Sequence, residues 1–265
     1  MVFPALFWIL AAVSAVLCAI GFYRFVWFMS VGYGLAIAGC GAAMLIALLV
    51  SGSISIPLLL ICVLFVIYGC RLGLFLLIRE TKNAAYRKTL DAQTSKPVPM
   101  FVKVVMWIMM ALLYPMQVSP VMYRLVNGSV TLGGDVLTWV GAVIMAVGVA
   151  MEALADKQKS AAKKENPRMV ATQGLFKYCR CPNYFGEILV WTGCFISGLN
   201  ILAGWQWAVA VFGYVCIVYI MFSGAKRLET RQNKNYGDKK EYWDYANKTP
   251  ILIPFVPLYH LVKSK

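Results

Sequence analysis

Seven stretches of the chain are apolar for long enough to cross a bilayer: residues 5–22, 27–50, 54–78, 101–123, 136–155, 184–203 and 205–222. A hydrocarbon core about 30 Å thick is spanned by about 20 helical residues, so each run is predicted to be a membrane helix. Only Gly204 separates the last two runs, which leaves room for one of them to be short or tilted. The connections between the runs differ sharply in charge. Arg24 lies in the first and no cation in the second, while Arg79, Lys82, Arg87, Lys88 and Lys96 crowd the third. Seven more cations lie between Lys157 and Arg180, and nine follow Phe222. The positive-inside rule then puts the odd-numbered connections and the C-terminus in the cytoplasm and the N-terminus outside.

No internal repeat or soluble domain interrupts this order, so residues 1–265 are expected to form a single membrane domain, with 223–265 as a cytoplasmic or interfacial tail. In the tail, Tyr236, Tyr242, Trp243 and Tyr245 followed by Pro250, Pro254 and Pro257 predict a short helix and an aromatic strip at the membrane interface. The expected fold class is thus all-α: about seven transmembrane helices of a multi-pass protein in a bacterial inner membrane or the endoplasmic reticulum.

Composition agrees. Apolar residues make up 61% of the chain and charged ones 14%, with mean hydropathy +0.71, whereas soluble domains carry about 25% charged residues. The formal charge of +14 sits in the connections, which favours anionic headgroups or an anionic cofactor over nucleic acid. His260 is the only histidine, so a metal centre built on imidazole is excluded and no metal is expected. Cys18, Cys40, Cys62, Cys70, Cys194 and Cys216 fall within apolar runs and read as small core residues; Cys179 and Cys181 share a polar connection, without the further ligands of a zinc set. The first run has no Lys or Arg before it and further spans after it, unlike a cleaved signal peptide.

Gly32, Gly34, Gly39 and Gly41 lie inside the second run, with the wrong spacing for a dinucleotide fingerprint, and predict close helix packing. Charges at membrane depth carry more information, because each costs about 2.5–3.5 kcal/mol to insert. Arg71 interrupts the third run, and Tyr68 shares its helix face three residues earlier, so a phenol donor and a cation can face an interior cavity together. The alternative is a snorkelling Arg beside an ordinary Tyr. Asn183 and Glu187 share a face at the start of the sixth run, where they either meet a ligand or cap the helix. Glu152 and Asp156 repeat that spacing on the fifth run, and Lys157, Lys159, Lys163, Lys164 and Arg168 follow. Such carboxylates and cations suit the hydroxyl or amino groups and the phosphates of a nucleotide, or else lipid headgroups.

The stretch from Gly174 to Glu187, Gly-Leu-Phe-Lys-Tyr-Cys-Arg-Cys-Pro-Asn-Tyr-Phe-Gly-Glu, with Trp191 and Gly193 after it, resembles the steroid 5-alpha-reductase family and its bacterial relatives. Tyr68-Gly-Cys-Arg71, Arg79, Glu152 with Asp156, and the ending from Tyr245 through Pro250 to Pro254 extend the resemblance over about residues 60–257, most densely over 152–257. It implies a reductase that takes hydride from NADPH and delivers it to the β carbon of a conjugated enone on a lipophilic, steroid-like substrate. It implies Tyr68 and Glu187 as catalytic residues, Tyr68 donating to the substrate carbonyl as charge develops there. Asn183 and Glu187 would hold the nicotinamide end, Glu152 and Asp156 the adenosine part, and Arg79, Lys163, Arg168 and Arg227 the phosphates. Tyr178, Tyr236 and Tyr245 would complete the cofactor contacts, together with Arg71 if that residue does not act on Tyr68. Two departures stand out. The first 79 residues contain no Asp, Glu or Gln, although the steroid reductases grip the substrate ketone with a Gln-Glu pair in an early helix, and Cys181 stands where many relatives have His. Isoprenylcysteine and phospholipid methyltransferases, which bind S-adenosylmethionine, carry a loop that resembles Arg180-Cys-Pro-Asn-Tyr184 but usually show paired Glu further on, where this chain has Glu229. A non-enzymatic transporter would account for the intramembrane charges but not for the dense motif.

Overall fold

Proline marks several helix starts, because a ring that fixes φ and lacks an N–H costs nothing where the N–H has no helical partner. In the computed structural model, which describes residues 1–52, 54–82, 98–128 and 130–262, Pro4 stands just before α1 (Ala5–Cys18) and Pro99 just before α4 (Met100–Val126). Pro182 opens α6 (Pro182–Gly198). The remaining helices are α2 (Val31–Val50), α3 (Ile56–Lys82), α5 (Val136–Glu165), α7 (Gln206–Tyr236) and the short α8 (Lys240–Ala246). Two 3-10 turns, Ala19–Phe22 and Phe25–Phe28, join α1 to α2, and every regular element among the described residues is helical.

Six helical segments are long and apolar enough to cross a membrane: Ala5–Phe22, Phe25–Val50, Ile56–Thr81, Met100–Val126, Val136–Glu165 and Gln206–Tyr236. The protein is a multi-pass, all-α integral membrane protein. The sixth of the seven expected spans is a helix of 17 residues, α6, which stops at Gly198 although the apolar run continues to residue 203. The opposite holds for α5 and α7, which have 30 and 31 residues and run well past the apolar stretches that end at 155 and 222. At 1.5 Å per residue they are about 45 Å long, half as long again as a hydrocarbon core, so each carries a polar extension beyond it. Of the basic third connection, Arg87, Lys88 and Lys96 lie outside the described residues.

The chain divides into two compact units, Met1–Ala142 with Cys194–Tyr214, and Val143–Gly193 with Val215–Lys265. In the first, the glycines of α2 do what their spacing predicts. A Cβ on Gly34 would lie 2.5 Å from the Gly73 nitrogen and 2.8 Å from the Gly69 oxygen, so α2 and α3 touch backbone to backbone; Gly39 instead makes room for the Leu17 and Val13 side chains of α1. The prolines inside α4, Pro115 and Pro120, remove two helical donors, and neighbouring segments close on that stretch: the Cys194 thiol donates to the Gln117 carbonyl at 3.5 Å, and Gly198 fits against Pro120. At the end of α4 the buried Arg124 gives Nε to the Ser197 carbonyl (2.7 Å), Nη1 to Asp135 Oδ2 (2.5 Å) and Nη2 to Asn200 Oδ1. Asp135 also accepts from the Thr138 N–H and hydroxyl, each at 2.8 Å, which caps α5.

In the second unit the tail turns inward instead of forming only an interfacial strip. Tyr242 of α8 is fully buried with its hydroxyl on Asn233 Oδ1 (2.5 Å), the Arg180 N–H donates to the Pro250 carbonyl (2.8 Å), and Ile251 N–H to Leu258 (2.8 Å). Burying these aromatics against α7 removes more apolar surface from water than a half-wet interface could.

Candidate active site

The motif between α5 and α6 is built on a backbone contact. A Cβ on Gly148 of α5 would lie 2.6 Å from the Gly186 oxygen, and one on Gly186 would lie 2.9 Å from the Glu152 nitrogen. The glycine of Tyr-Phe-Gly-Glu therefore lets α6 lie on α5 where the two buried carboxylates, Glu152 and Glu187, stand on adjoining turns. Asn183 is half-buried one turn before Glu187, and Asp156 is half-buried one turn after Glu152. Upstream, Gly174 takes φ +64, a conformation that only glycine adopts cheaply, and Gln158 Oε1 accepts the Leu175 N–H at 2.9 Å. The entry to the motif is thereby tied to α5.

Beside this motif lies a cationic cavity of about 70 Å³. Lys159 and Lys163 reach it from α5, Arg180 from the motif, and Arg231 from α7, with Tyr236 and Tyr245 completing the polar wall. Among the described residues no acidic side chain lines it. Its α7 face is Leu228, Arg231, Gln232, Asn235 and Tyr236, the i, i+3, i+4, i+7, i+8 rows of one helix side. Arg180 is the buried member, 3% exposed. Its Nη2 donates to Glu229 Oε1 (2.6 Å) and to the Tyr259 carbonyl, whereas Nε and Nη1 are buried without a hydrogen-bond partner among the described residues. Glu229, itself fully buried, also takes His260 Nδ1 (2.9 Å) and the Leu261 and Val262 N–H groups (2.8 and 3.0 Å), so the chain's end fixes the guanidinium from behind.

Lys163 Nζ donates to the Tyr236 hydroxyl (2.6 Å) and to the Met169 carbonyl (2.5 Å), and the Tyr245 hydroxyl to Phe176 O (2.6 Å). Burial pushes the Tyr245 phenol up, which keeps it a donor at neutral pH. Burial also pushes the Cys179 and Cys181 thiols up to about 12, so both remain protonated. Of the residues expected at a cofactor, Lys163, Tyr236 and Tyr245 meet in the cavity. Arg168 and Arg227 are exposed and do not line it, and Tyr178 is exposed beside Phe255. Arg227 precedes the cavity-facing row by one residue, whereas Arg231 falls on it. Lys159 belongs to the basic run that the sequence offers to a nucleotide, whereas Arg180 and Arg231 were not singled out for this wall; the helical spacing of 228, 231, 232, 235 and 236 is the signal that could have found Arg231.

Tyr68, Arg71 and Arg79 belong to α3 in the first unit. Tyr68 is fully buried, and its hydroxyl is hydrogen-bonded to that of Tyr33 at 3.1 Å. Arg71 is half-buried, and Arg79 lies over the Phe75 ring, 4.0 Å from Glu80. Glu80, the first acidic residue in the chain, is buried and accepts Trp27 Nε1 at 2.5 Å.

Comparison with known proteins bears on the same motif. A family profile described as a protein of unknown function, DUF1295, matches residues 14–249. Steroid 5-alpha-reductase DET2 of Gossypium hirsutum is 29% identical over 119 residues, 44% of this chain and 41% of the relative. The 3-oxo-5-alpha-steroid 4-dehydrogenase 1 of Bos taurus is 36% identical over 83 residues, 31% of this chain and 27% of the relative. The chain thus aligns with less than half the length of either relative, and no solved structure matches it. Because the profile runs from α1 through the motif to α8, the chain belongs to the DUF1295 family, and its resemblance is to the steroid 5-alpha-reductases.

Proposed function

We propose that this protein is a membrane-embedded reductase that uses NADPH to saturate an activated C=C bond of a lipophilic, steroid-like enone. The observation that carries the reading is the cavity of the second unit: among the described residues it has four cations, no lining carboxylate, and a buried guanidinium whose Nε and Nη1 find no hydrogen-bond partner. An unpaired buried polar group costs about 1–3 kcal/mol, and more when charged, so such a group is retained where a ligand satisfies it. A cavity of about 70 Å³ has room for a phosphate-sized group. The donor set of Arg180, Lys159, Lys163 and Arg231 matches the charge and the acceptor oxygens of a nucleotide phosphate.

When bound, the cofactor supplies a hydride. Every other role falls to side chains of this chain. Asn183 and Glu187 hold the carboxamide of the nicotinamide with a donor and an acceptor, Glu152 and Asp156 take the adenosine part, and Tyr236 and Tyr245 close on the cofactor's polar rim. Arg71 and Arg79 add cationic charge on α3. Tyr68 donates to the substrate carbonyl oxygen, which turns negative as the β carbon accepts hydride. The cations of the extended α5 and α7 face the cytoplasm, where the cofactor is supplied, with the N-terminus on the opposite side; the positive-inside distribution supports that orientation.

Asn183→Ala and Glu187→Gln test the assignment. Each is expected to lower enone-dependent NADPH oxidation by about 10²-fold while the protein remains folded. Wild-type turnover in both would return the two residues to helix capping.

A further inference from the structure

The last described residues double back onto α7. The chain reverses around Phe255, which lies between Pro254 and Pro257 and takes φ +66, a conformation uncommon for a bulky side chain, and the Val256 N–H donates to the Ile253 carbonyl at 3.3 Å. Beyond the reversal, His260, Leu261 and Val262 reach the buried Glu229. A carboxylate only accepts, so His260 Nδ1 is the donor to Oε1 at 2.9 Å. The other ring nitrogen lies 2.9 Å from Asn247 Oδ1, and the Trp243 ring stands 6.2 Å from the imidazole between centroids.

A carboxylate offers about four lone-pair sites. On Glu229 donors fill both oxygens: Arg180 Nη2 and His260 Nδ1 share Oε1, and the Leu261 and Val262 N–H groups share Oε2. Arginine beside a carboxylate readily pairs through two nitrogens with two oxygens. Here the tail occupies the places that a second nitrogen would need, and Arg180 is held through Nη2, which also donates to the Tyr259 carbonyl. Nε and Nη1 are thereby left without a hydrogen-bond partner among the described residues, in a side chain that lines the cationic cavity.

We infer that His260 is a positioning residue of the anion site: together with the two N–H groups that follow it, it saturates Glu229 and keeps that carboxylate from closing on Arg180, so that Nε and Nη1 serve a phosphate. The inference rests on the reading of the cavity as the phosphate site of the cofactor. His260 does not line the cavity, and its action passes through Glu229. Motif, α7 extension and tail all belong to the second unit. Docking of the tail and binding of the anion are then coupled, and by linkage each strengthens the other.

The test is the NADPH dissociation constant of detergent-purified full-length variants, each first shown to be folded by its melting temperature without ligand. His260→Phe keeps a ring beside Trp243 and loses the donor; it is expected to weaken NADPH about tenfold. His260→Gln keeps an N–H donor and should stay within about threefold of the wild type. Adding Glu229→Gln to His260→Phe should recover most of the lost affinity, because a neutral amide with a single oxygen cannot hold the guanidinium through two bonds. A packing role for His260 would give a further loss instead. In the wild type alone, NADPH should slow proteolysis after Tyr259 by about tenfold or more. Wild-type affinity in His260→Phe, an equal loss in His260→Gln, no recovery on adding Glu229→Gln, or proteolysis of the tail at the same rate with and without NADPH would overturn the inference and leave the reductase reading standing. Failure of the wild-type protein to bind NADPH would instead remove the reading on which it rests.

Discussion

Arg180 and Glu229 form an ion pair with both side chains out of solvent, Nη2 to Oε1 at 2.6 Å. The pair joins the motif to the polar extension of α7. Glu229 also gathers His260 and two backbone N–H groups, so its carboxylate has four donors while the guanidinium keeps two nitrogens for the cavity.

Glu229→Ala should therefore be costly in two ways. Removing one partner of a buried pair leaves an uncompensated charge, typically a loss of about 3–5 kcal/mol. A lower melting temperature and faster proteolysis after Tyr259 are the expected outcomes, because the last residues lose their anchor. Limited proteolysis read by mass spectrometry checks it; an unchanged digest would mean that the tail is held by its apolar contacts alone.

Gly186→Ala tests the contact beneath the carboxylates. A Cβ there meets the backbone of Glu152 and Gly148, so α5 and α6 must part by some tenths of an ångström. Nucleotide binding is expected to weaken at least tenfold, since a displacement well below 1 Å at a positioned site is enough for that. Equal affinity in variant and wild type would show that the seam serves stability alone.

How much of this was legible in the sequence differs by level. Six of the spans could be read because runs of apolar residues have few other fates, and the placement of Asn183 one turn before Glu187 on α6 because of their spacing. The early end of α6 could not: Asn200 looks like a polar residue within an apolar run, but it is used by Arg124 and Asp135 across long sequence separations. Tyr33 and Tyr68, 35 residues apart, meet only because of the register of the glycine contact. Arg180 read as one cation among many in a basic connection; its value lies in being buried by a tail whose fold no local pattern encodes.

Asp135 gives the protein an acid-sensitive clasp. Burial alone would raise its carboxyl, but the donors from Asn200, Thr138 and Arg124 prevail and lower it from 3.8 to about 2. A folded-state value below the unfolded one stabilises the fold above about pH 4, and that contribution is lost as pH falls toward 2. Asp135→Asn should therefore melt lower than wild type at pH 6, with the difference shrinking below pH 4. Because the carboxylate is 36% exposed, the effect is modest. A difference independent of pH would contradict this.

The thiols of Cys179 and Cys181 should resist alkylation by iodoacetamide at pH 8 in the folded protein and react after denaturation, because both are 2% exposed with values near 12. Peptide mapping before and after unfolding reads this directly. Ready labelling of either in the native state would mean that the motif loop opens.

The most direct measurement of the central claim is the melting temperature of the purified protein with NADPH, NADH or S-adenosylmethionine, in wild type and Arg231→Ala. At a hundredfold excess over its dissociation constant, NADPH should stabilise the wild type by about 2.7 kcal/mol. Arg231 lines the cavity from the exposed side of α7, so its loss should weaken NADPH by about tenfold or more without unfolding the protein. Stabilisation by S-adenosylmethionine alone, by none of the three, or by NADPH equally in wild type and variant would contradict the account.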